Sequence, residues 1–537
     1  MDTGLTRYLN VSIVAIYMAI LIAMGLFFSR RQRTTDAYFV ANRSVPGWAM
    51  GISLLATIIT SVTFIAYPGA SYSGNWSLIT PGAMMVVVPA IAGLVIVPFF
   101  RHVVRMSAFE YFGKRFGRFV RLYSSGIFAL GHLSKMAFVL YLLALTVNSM
   151  TGWSIEIVLL LSTLITVIYA LIGGLEAIIW ADVVQGILLW AGVLSAAGYL
   201  LYLSPLSVSQ NFAFAWQAHK FSLGETSLNF HRPGIAVLLL YGLFFYLQKY
   251  TADQTVVQRY LAARSDREAL RGILLGAVLC VPVWSLFMLV GTLLWSFYKH
   301  SADRLPAYVV KGDQVFPYFL TTHLPPGLGG LLLAALFGAG MAMLASDFNC
   351  LATIAVEDFY DNFRPRSTDR HRLRLGRLCV LLSGLTACTF AWVLAHSHGA
   401  VLALYYATAS ILAGGLAGIF LLAFLTRRAN DFGAKIGIAA NLVLTAWASL
   451  TVGAKPLLSL GRFRFTWHEY MIGVVGQLTL FAVGYAFSHL RSAPPQEITD
   501  LTLAGWLRTC SQSHLPTPSG SSLIRHFTTD LPGEEPS

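Results

Sequence analysis

Long apolar stretches recur along the chain from Val11 to Leu490, separated by short polar segments. A helix of about 20 mainly apolar residues crosses the hydrocarbon core of a bilayer, which is about 30 Å thick. Only 11% of the residues are charged, whereas soluble domains carry about 25%. The pattern therefore excludes a large soluble domain and predicts an all-α integral membrane protein.

The apolar stretches predict thirteen transmembrane helices. They lie at residues 8–28, 44–73, 81–100, 122–150, 154–174, 177–203, 234–262, 270–299, 327–357, 373–397, 400–425, 434–453 and 468–490. Residues 1–490 then form a single transmembrane domain. The tail, residues 491–537, is rich in proline and serine and is predicted to be mostly disordered.

Positive charge is concentrated on one predicted side of the membrane. The formal net charge is +13. If the N-terminus lies outside, the segments facing the cytoplasm hold about 26 Lys and Arg residues and the outer segments about 9, in agreement with the positive-inside rule. The sequence thus predicts a multi-pass protein of the cytoplasmic membrane with a cytoplasmic C-terminus, and it gives no indication of nucleic-acid binding.

Neither end of the chain nor its cysteines suggest further modules. The first apolar run is followed, not preceded, by Arg30 and Arg31, unlike a cleaved signal peptide, so we expect it to be retained as a helix. The five cysteines are scattered and form no metal-binding pattern. No cofactor is predicted.

The second predicted helix carries an unusual set of hydroxyls followed by a Pro68-Gly69 pair. Broken helices are tolerated at membrane depth where they line a cavity, and transporters bind solutes there. The alternative is that the hydroxyls bond back to their own helix and Pro68 only bends it. The hydroxyls belong to Ser53, Thr57, Thr60, Ser61 and Thr63.

Ionisable side chains within the predicted spans mark candidate sites, because charge inside a membrane is costly and faces a cavity or a partner. They are Lys135, Asp182, Lys249, Asp253 and Asp347. Lys135 lies 14 residues after the basic Arg121, or about 21 Å at helical rise, too far to extend easily to the cytoplasm. Lys249 and Asp253 are four residues apart and can also pair on one helix face.

Four segments resemble, in the expected order, motifs of the sodium:solute symporter family, which includes the sodium–glucose, proline and sialic-acid symporters. They are FEYFGKRFG at 109–117, IYALIGGLEAIIWADVVQ at 168–185, DQTVVQRYLAAR at 253–264 and GGLAGIFLL at 414–422. The likeness is strongest to the bacterial sialic-acid symporters. It implies a LeuT-type core over about residues 44–453, built from two inverted five-helix repeats, with the first helix peripheral.

The resemblance also implies two cation sites. At the first, backbone carbonyls of Ala56, Ile59 and Ala339 would bind Na⁺, but the two hydroxyls the family supplies are replaced here by Ala342 and Met343. At the second, Asp182 and Ser346 would bind an ion. Hard cations prefer oxygen ligands, so coupling to Na⁺, coupling to H⁺ and uncoupled transport all remain open.

The substrate residues implied by the resemblance are Thr60, Thr63 and Lys135, with Tyr246 and Lys249 at the inner gate. Lys135 stands where the sialic-acid symporters carry an arginine that binds the substrate carboxylate. Lysine keeps the positive charge but loses the bidentate geometry. The resemblance therefore favours a small carboxylate or sugar acid as substrate.

Three functional hypotheses follow. The first is a secondary active symporter that moves a small polar organic solute by alternating access, coupled to Na⁺ or another cation. The second is a transporter-like sensor or binding scaffold, which the missing hydroxyls at Ala342 and Met343 would suit. The third is a membrane enzyme using His132 and Asp182, but neither belongs to a catalytic motif, and we expect no enzymatic activity.

Overall fold

The computed structural model describes residues 3–307, 309–364, 367–396, 415–453 and 456–513, and these residues are almost entirely helical. The first seven α-helices are α1 Thr3–Ser29, α2 Thr35–Val40, α3 Gly47–Ile58, α4 Ser61–Ser73, α5 Ala83–Ile91, α6 Gly93–Val103 and α7 Phe109–Phe116. The central ones are α8 Arg118–Thr151, α9 Ile155–Leu203, α10 Val208–Gln217, α11 Ile235–Ala252, α12 Gln254–Leu261, α13 Asp266–His300 and α14 Gly312–Thr322. The last are α15 Leu328–Ile354, α16 Asp361–Phe363, α17 Asp369–Ala395, α18 Leu416–Leu425, α19 Asp431–Thr451, α20 Tyr470–Ser488, α21 Gln496–Thr499 and α22 Leu503–Ser513.

Nine helices within these ranges are long and apolar enough to cross a membrane, and two sharply bent pairs bring the number to eleven. The predicted helices 154–174 and 177–203 correspond to the two halves of α9, which are separated by a kink where the backbone leaves helical geometry at Gly174 (φ 56°, ψ −161°). A Cβ at this position would lie 2.9 Å from the Tyr38 ring, so only glycine suits the turn. Residues 400–414 of the predicted helix 400–425 lie outside the described ranges.

The second predicted helix is broken, but not where its sequence indicated. Ile59 and Thr60 are extended between α3 and α4, and the two helices meet at 63°. Pro68 lies inside α4, so the prediction of a break at Pro68-Gly69 was wrong. The break lies instead where Thr60 and Thr63 form a capping box that begins a new helix.

A second break was not anticipated. The predicted helix 234–262 stops at Ala252, and Asp253 adopts an extended conformation before α12 begins. The Asp253 side chain accepts a hydrogen bond from the Thr255 N–H at 2.9 Å, which makes it the N-cap of α12. In the helix order implied by the resemblance, both breaks fall in the first helix of a repeat.

The predicted helix 81–100 also bends. It begins with a 3₁₀ turn over Ser77–Gly82, and α5 and α6 meet at 65° around Ala92. Pro89 and Pro98 lie within these two helices. Because proline removes a helical N–H and crowds the preceding turn, it favours such bends.

The tail begins with ordered structure rather than disorder. α21 and α22 follow the last span, and the Tyr111 hydroxyl donates to the Leu501 carbonyl at 3.0 Å. The Trp506 ring lies 5.6 Å from that of Phe99. Residues 496–513 are therefore ordered because an aromatic cluster offers α22 a packing surface, and a mostly disordered tail stays a prediction. Residues 514–537 lie outside the described ranges.

The segment 109–117 has a structural role that its sequence pattern did not reveal. The Arg115 guanidinium is buried and donates to the carbonyls of Ala423 (3.2 Å), Thr426 (2.7 Å) and Ala429 (2.8 Å). These carbonyls close the C-terminal end of α18, where the helix leaves its last acceptors unpaired. Arg115 thereby joins the loop motif to α18.

We expect Arg115→Ala to destabilise the protein, because it leaves three buried carbonyls without a donor. A hydrogen bond from a charged donor contributes about 1.5–3 kcal/mol, so the loss should be about 3 kcal/mol or more. Thermal unfolding of the purified protein in detergent would record it as a lower apparent Tm. Lys114→Ala removes an exposed neighbour with one carbonyl contact and is the control. Equal Tm values for both variants would contradict this role.

Candidate functional site

The predicted second cation site is built around a guanidinium. Arg259 Nη2 lies 2.8 Å from Asp182 Oδ2 and donates to Ser346 Oγ at 2.6 Å. Its Nε donates to Ser53 Oγ at 2.9 Å, and Ser53 Oγ in turn donates to Asp182 Oδ2 at 2.6 Å. All four side chains are buried. Asp182 and Ser346 are thus both bound to Arg259, and their role in binding a cation stays a prediction.

The guanidinium changes what this site can do. A buried carboxylate requires a compensating charge, and Arg259 supplies it for Asp182. The Arg259 Nη1 also donates to the Thr255 carbonyl at 2.6 Å, so each nitrogen of the guanidinium has a partner. In this arrangement, a Na⁺ ion that used Asp182 Oδ2 and Ser346 Oγ would compete with a guanidinium of equal charge, whereas Asp182 Oδ1 is buried without a hydrogen-bond partner.

The residues of the first predicted cation site lie on two different helices. Ala56 is in the last turn of α3 and Ile59 is its C-cap, while Ala339 lies within α15. The Thr60 N–H lies 3.4 Å from Thr63 Oγ1 rather than continuing the helix toward the Ala56 carbonyl. The end of α3 therefore presents backbone oxygens in the middle of a span.

Apolar groups occupy the positions where hydroxyls were expected. Ala342 and Met343 are both buried in α15, so the methyl and thioether are part of the packed interior. A thioether is a weak and soft acceptor. Ser346 Oγ, one turn after Ala342, donates to the Ala342 carbonyl at 2.8 Å and is already bound by Arg259.

The predicted substrate hydroxyls lie at the start of α4. Thr60 is partly exposed and Thr63 is buried, and together they cap the helix. Ser61 Oγ donates to the Val139 carbonyl of α8 at 3.4 Å. Lys135 precedes Val139 by one turn on the same helix face, so the helix that bears Lys135 packs against the N-terminus of α4.

Lys135 belongs to a group of five ionisable side chains, here called the His132 cluster. Its members are His132, Lys135, Lys249, Asp253 and Asp347. Lys135 Nζ lies 3.1 Å from Asp347 Oδ2, and His132 Nδ1 lies 2.7 Å from Asp347 Oδ1. His132 Nε2 faces Asp253 Oδ2 at 3.6 Å, and Lys249 Nζ lies 2.5 Å from the same oxygen. The cluster joins α8, α11, the second helix break and α15.

Water reaches this cluster unevenly. The side chain of Lys135 is 36% exposed and that of Lys249 is 20% exposed, whereas Asp347 is fully buried. The two lysine side chains are therefore partly exposed while their carboxylate partners are enclosed. Tyr246, one turn before Lys249 on α11, is buried.

Several polar residues of these sites were not assigned a binding role from sequence. Arg259 was part of a motif, and Ser53 and Thr57 were part of the hydroxyl set, but neither pattern indicated that they meet. Asp253 and Asp347 were recognised as costly charges without their partner His132. The spacing of His132 and Lys135, three residues apart on one helix face, was the available signal.

The hypothetical catalytic pair of His132 and Asp182 does not form. His132 bonds to Asp347, whereas Asp182 bonds to Ser53 and Arg259. Each side chain is held by other partners.

Comparison with known proteins agrees with these features. The sodium/sialic acid symporter NanT of Aliivibrio fischeri is 29% identical over 481 residues, which cover 89% of this chain and 92% of that protein. A solved structure described as the substrate-bound outward-open state of a Na⁺-coupled sialic acid symporter matches with a TM-score of 0.82 and 28% identity. The match covers 91% of this chain and 99% of that one.

More distant structures share the fold alone. The closed conformation of Mhp1, a nucleobase-cation-symport-1 family transporter, matches with a TM-score of 0.53 at 14% identity and covers 86% of this chain and 97% of that one. The expected LeuT-type all-α membrane fold is thereby confirmed. The number of thirteen helices stays a prediction.

The family itself is identified by a match over most of the chain. The family model described as "SSF: Sodium:solute symporter family" matches residues 38–440. The relatives that this chain matches are transporters rather than enzymes. The protein is a multi-pass membrane protein that transports solutes by secondary active transport. The chain belongs to the sodium:solute symporter family.

Proposed function

We propose that this protein carries a small organic anion, a carboxylate or sugar acid, together with a cation across the cytoplasmic membrane by alternating access. The observation that carries the proposal is the contact between Ser61, at the α4 N-terminus, and Val139 of α8, four residues after Lys135 on the same helix. A helix N-terminus attracts negative charge through its free N–H groups and its dipole. Lys135, one turn before Val139 on α8, contributes a full positive charge.

Thr60, Thr63 and Lys135 are the proposed substrate ligands. The first two begin α4, and the Ser61–Val139 contact holds this end against the helix that bears Lys135. Lys135 is partly exposed, so a carboxylate can approach it. The sialic acid symporters among the relatives are consistent with a sugar acid as the substrate.

Lys249 and Tyr246 are the proposed inner-gate residues. Both lie on α11 shortly before the break at Asp253. Two broken helices, one in each proposed repeat, are what transporters of this fold move during alternating access. The excess of basic residues in the predicted inner segments supports an outer N-terminus and a cytoplasmic C-terminus.

Family membership supports Na⁺ as the coupling ion, and the carbonyls of Ala56, Ile59 and Ala339 are the proposed ligands. Asp182 and Ser346 are a less suitable site while Arg259 is bound to them. With Ala342 and Met343 replacing oxygen ligands, Na⁺ should bind weakly. Weak binding makes a modest dependence of transport on Na⁺ the expected behaviour.

Replacing Lys135 by alanine should abolish carboxylate uptake, because the substrate loses its charged partner. The loss of a charge-assisted hydrogen bond, about 1.5–3 kcal/mol, corresponds to roughly 10- to 100-fold in affinity. Uptake of labelled sialic acid, glucuronate and lactate into proteoliposomes would measure it, with and without a Na⁺ gradient.

Two further variants define this test. Lys135→Arg retains the charge and should retain uptake, and Lys435→Ala removes a lysine that is 42% exposed in a surface pair and should have no effect. Retained carboxylate affinity in Lys135→Ala would contradict the proposed charge pair. Binding without gradient-driven uptake in the unmodified protein would favour the sensor or scaffold instead.

Restoring the missing hydroxyls should strengthen the dependence on Na⁺. We expect Ala342→Ser combined with Met343→Ser to lower the Na⁺ concentration for half-maximal uptake by about tenfold, equivalent to about 1.4 kcal/mol. Ala334→Ser, on the same buried helix about two turns earlier, is the matched control. An unchanged Na⁺ response in the double variant would show that these carbonyls do not form the ion site.

A further inference from the structure

No single protonation state of His132 satisfies both contacts that its Nδ1 atom makes within the His132 cluster. His132 Nδ1 lies 2.7 Å from Asp347 Oδ1, which requires an N–H on this nitrogen, and 3.1 Å from Lys135 Nζ, which can only donate. A nitrogen that carries a proton cannot also accept one. Lys135 and Asp347 therefore favour opposite protonation states of the same imidazole nitrogen.

The charge balance of the cluster indicates which protonation state of His132 a bound substrate favours. Two ammonium groups and two carboxylates sum to zero when the imidazole is neutral. If a carboxylate substrate draws Lys135 away, Asp347 loses its ammonium partner and stays buried with an uncompensated charge, which is costly. A protonated His132 replaces that charge, because it can donate from Nδ1 to Asp347 and present Nε2–H toward Asp253 at 3.6 Å.

We propose that the His132 cluster is a proton-binding site that takes up one proton with each anionic substrate. The inference rests on the proposed function, since it requires a carboxylate at Lys135. Substrate and proton then raise each other's affinity by the same factor, because linkage is reciprocal. The proton joins the transport cycle whether or not Na⁺ also binds at the weakened carbonyl site.

The ionisable groups that face His132 are the carboxylates of Asp347 and Asp253 and the ammonium of Lys135. The His132 ring stacks on Phe128 with centroids 3.8 Å apart, which covers one face. The other groups near the cluster are Cys350, one turn after Asp347 and bonded to Gln258, and Arg259, which is committed to Asp182. Among the described residues, His132 is therefore the group placed to change charge between the two carboxylates.

The direct test is the number of protons taken up on binding. Calorimetric titration of the purified protein with sialic acid, or with lactate if sialic acid does not bind, is run in two buffers of different ionisation enthalpy. We expect uptake of up to one proton, and a dissociation constant that falls by up to about tenfold per unit decrease in pH. Binding without proton uptake between about pH 5.5 and 8.5 would overturn the proton site and leave the proposed function intact.

Variants assign the proton to a residue. His132→Gln keeps a hydrogen-bonding side chain that cannot be protonated, and its affinity should be independent of pH. His396→Gln removes an exposed histidine and should keep the full pH dependence. A His132→Gln protein that retains the wild-type pH dependence would contradict the assignment. If no carboxylate binds to the unmodified protein at any pH, the proposed function itself fails.

Discussion

A helix that stops inside a bilayer leaves backbone N–H and C=O groups without water to replace their lost partners, and two helices of the described chain, α3 and α11, stop in this way. At Ile59–Thr60 the new helix is capped by two threonines, and at Asp253 by a carboxylate. Both breaks are stable because polar side chains from the same segment complete them. The proposed substrate ligands Thr60 and Thr63 lie at the first of these breaks, as do the proposed ion ligands Ala56 and Ile59.

Charge compensation divides the interior into two parts with different properties. Asp182 and Arg259 form a buried pair in which all three nitrogens of the guanidinium have hydrogen-bond partners. The His132 cluster is balanced but open, since its lysines are accessible and its imidazole lies between two carboxylates. A closed pair holds helices together, whereas an open one can exchange a partner for a solute. This difference locates ligand chemistry at Lys135 rather than at Asp182.

Most of the spans could be predicted because each depends on a local apolar run. The positions of the helix breaks could not be predicted in the same way. Proline indicated a break at Pro68-Gly69, whereas the capping box of Thr60 and Thr63 places the break before α4. The predicted helices 154–174 and 177–203 meet at a turn that depends on one glycine packed against Tyr38. Pairings such as Arg259 with Asp182, 77 residues apart, leave no local signal at all.

The sequence by itself determined that this is a helical membrane protein, and its motifs indicated the symporter family, because hydrophobic runs and short motifs are local properties. It also showed that two expected hydroxyls are absent at Ala342 and Met343. Only the tertiary structure decided which charges meet. The buried carboxylates Asp182 and Asp347 look alike in sequence, and their distinct roles arise from partners that other helices bring within hydrogen-bond distance.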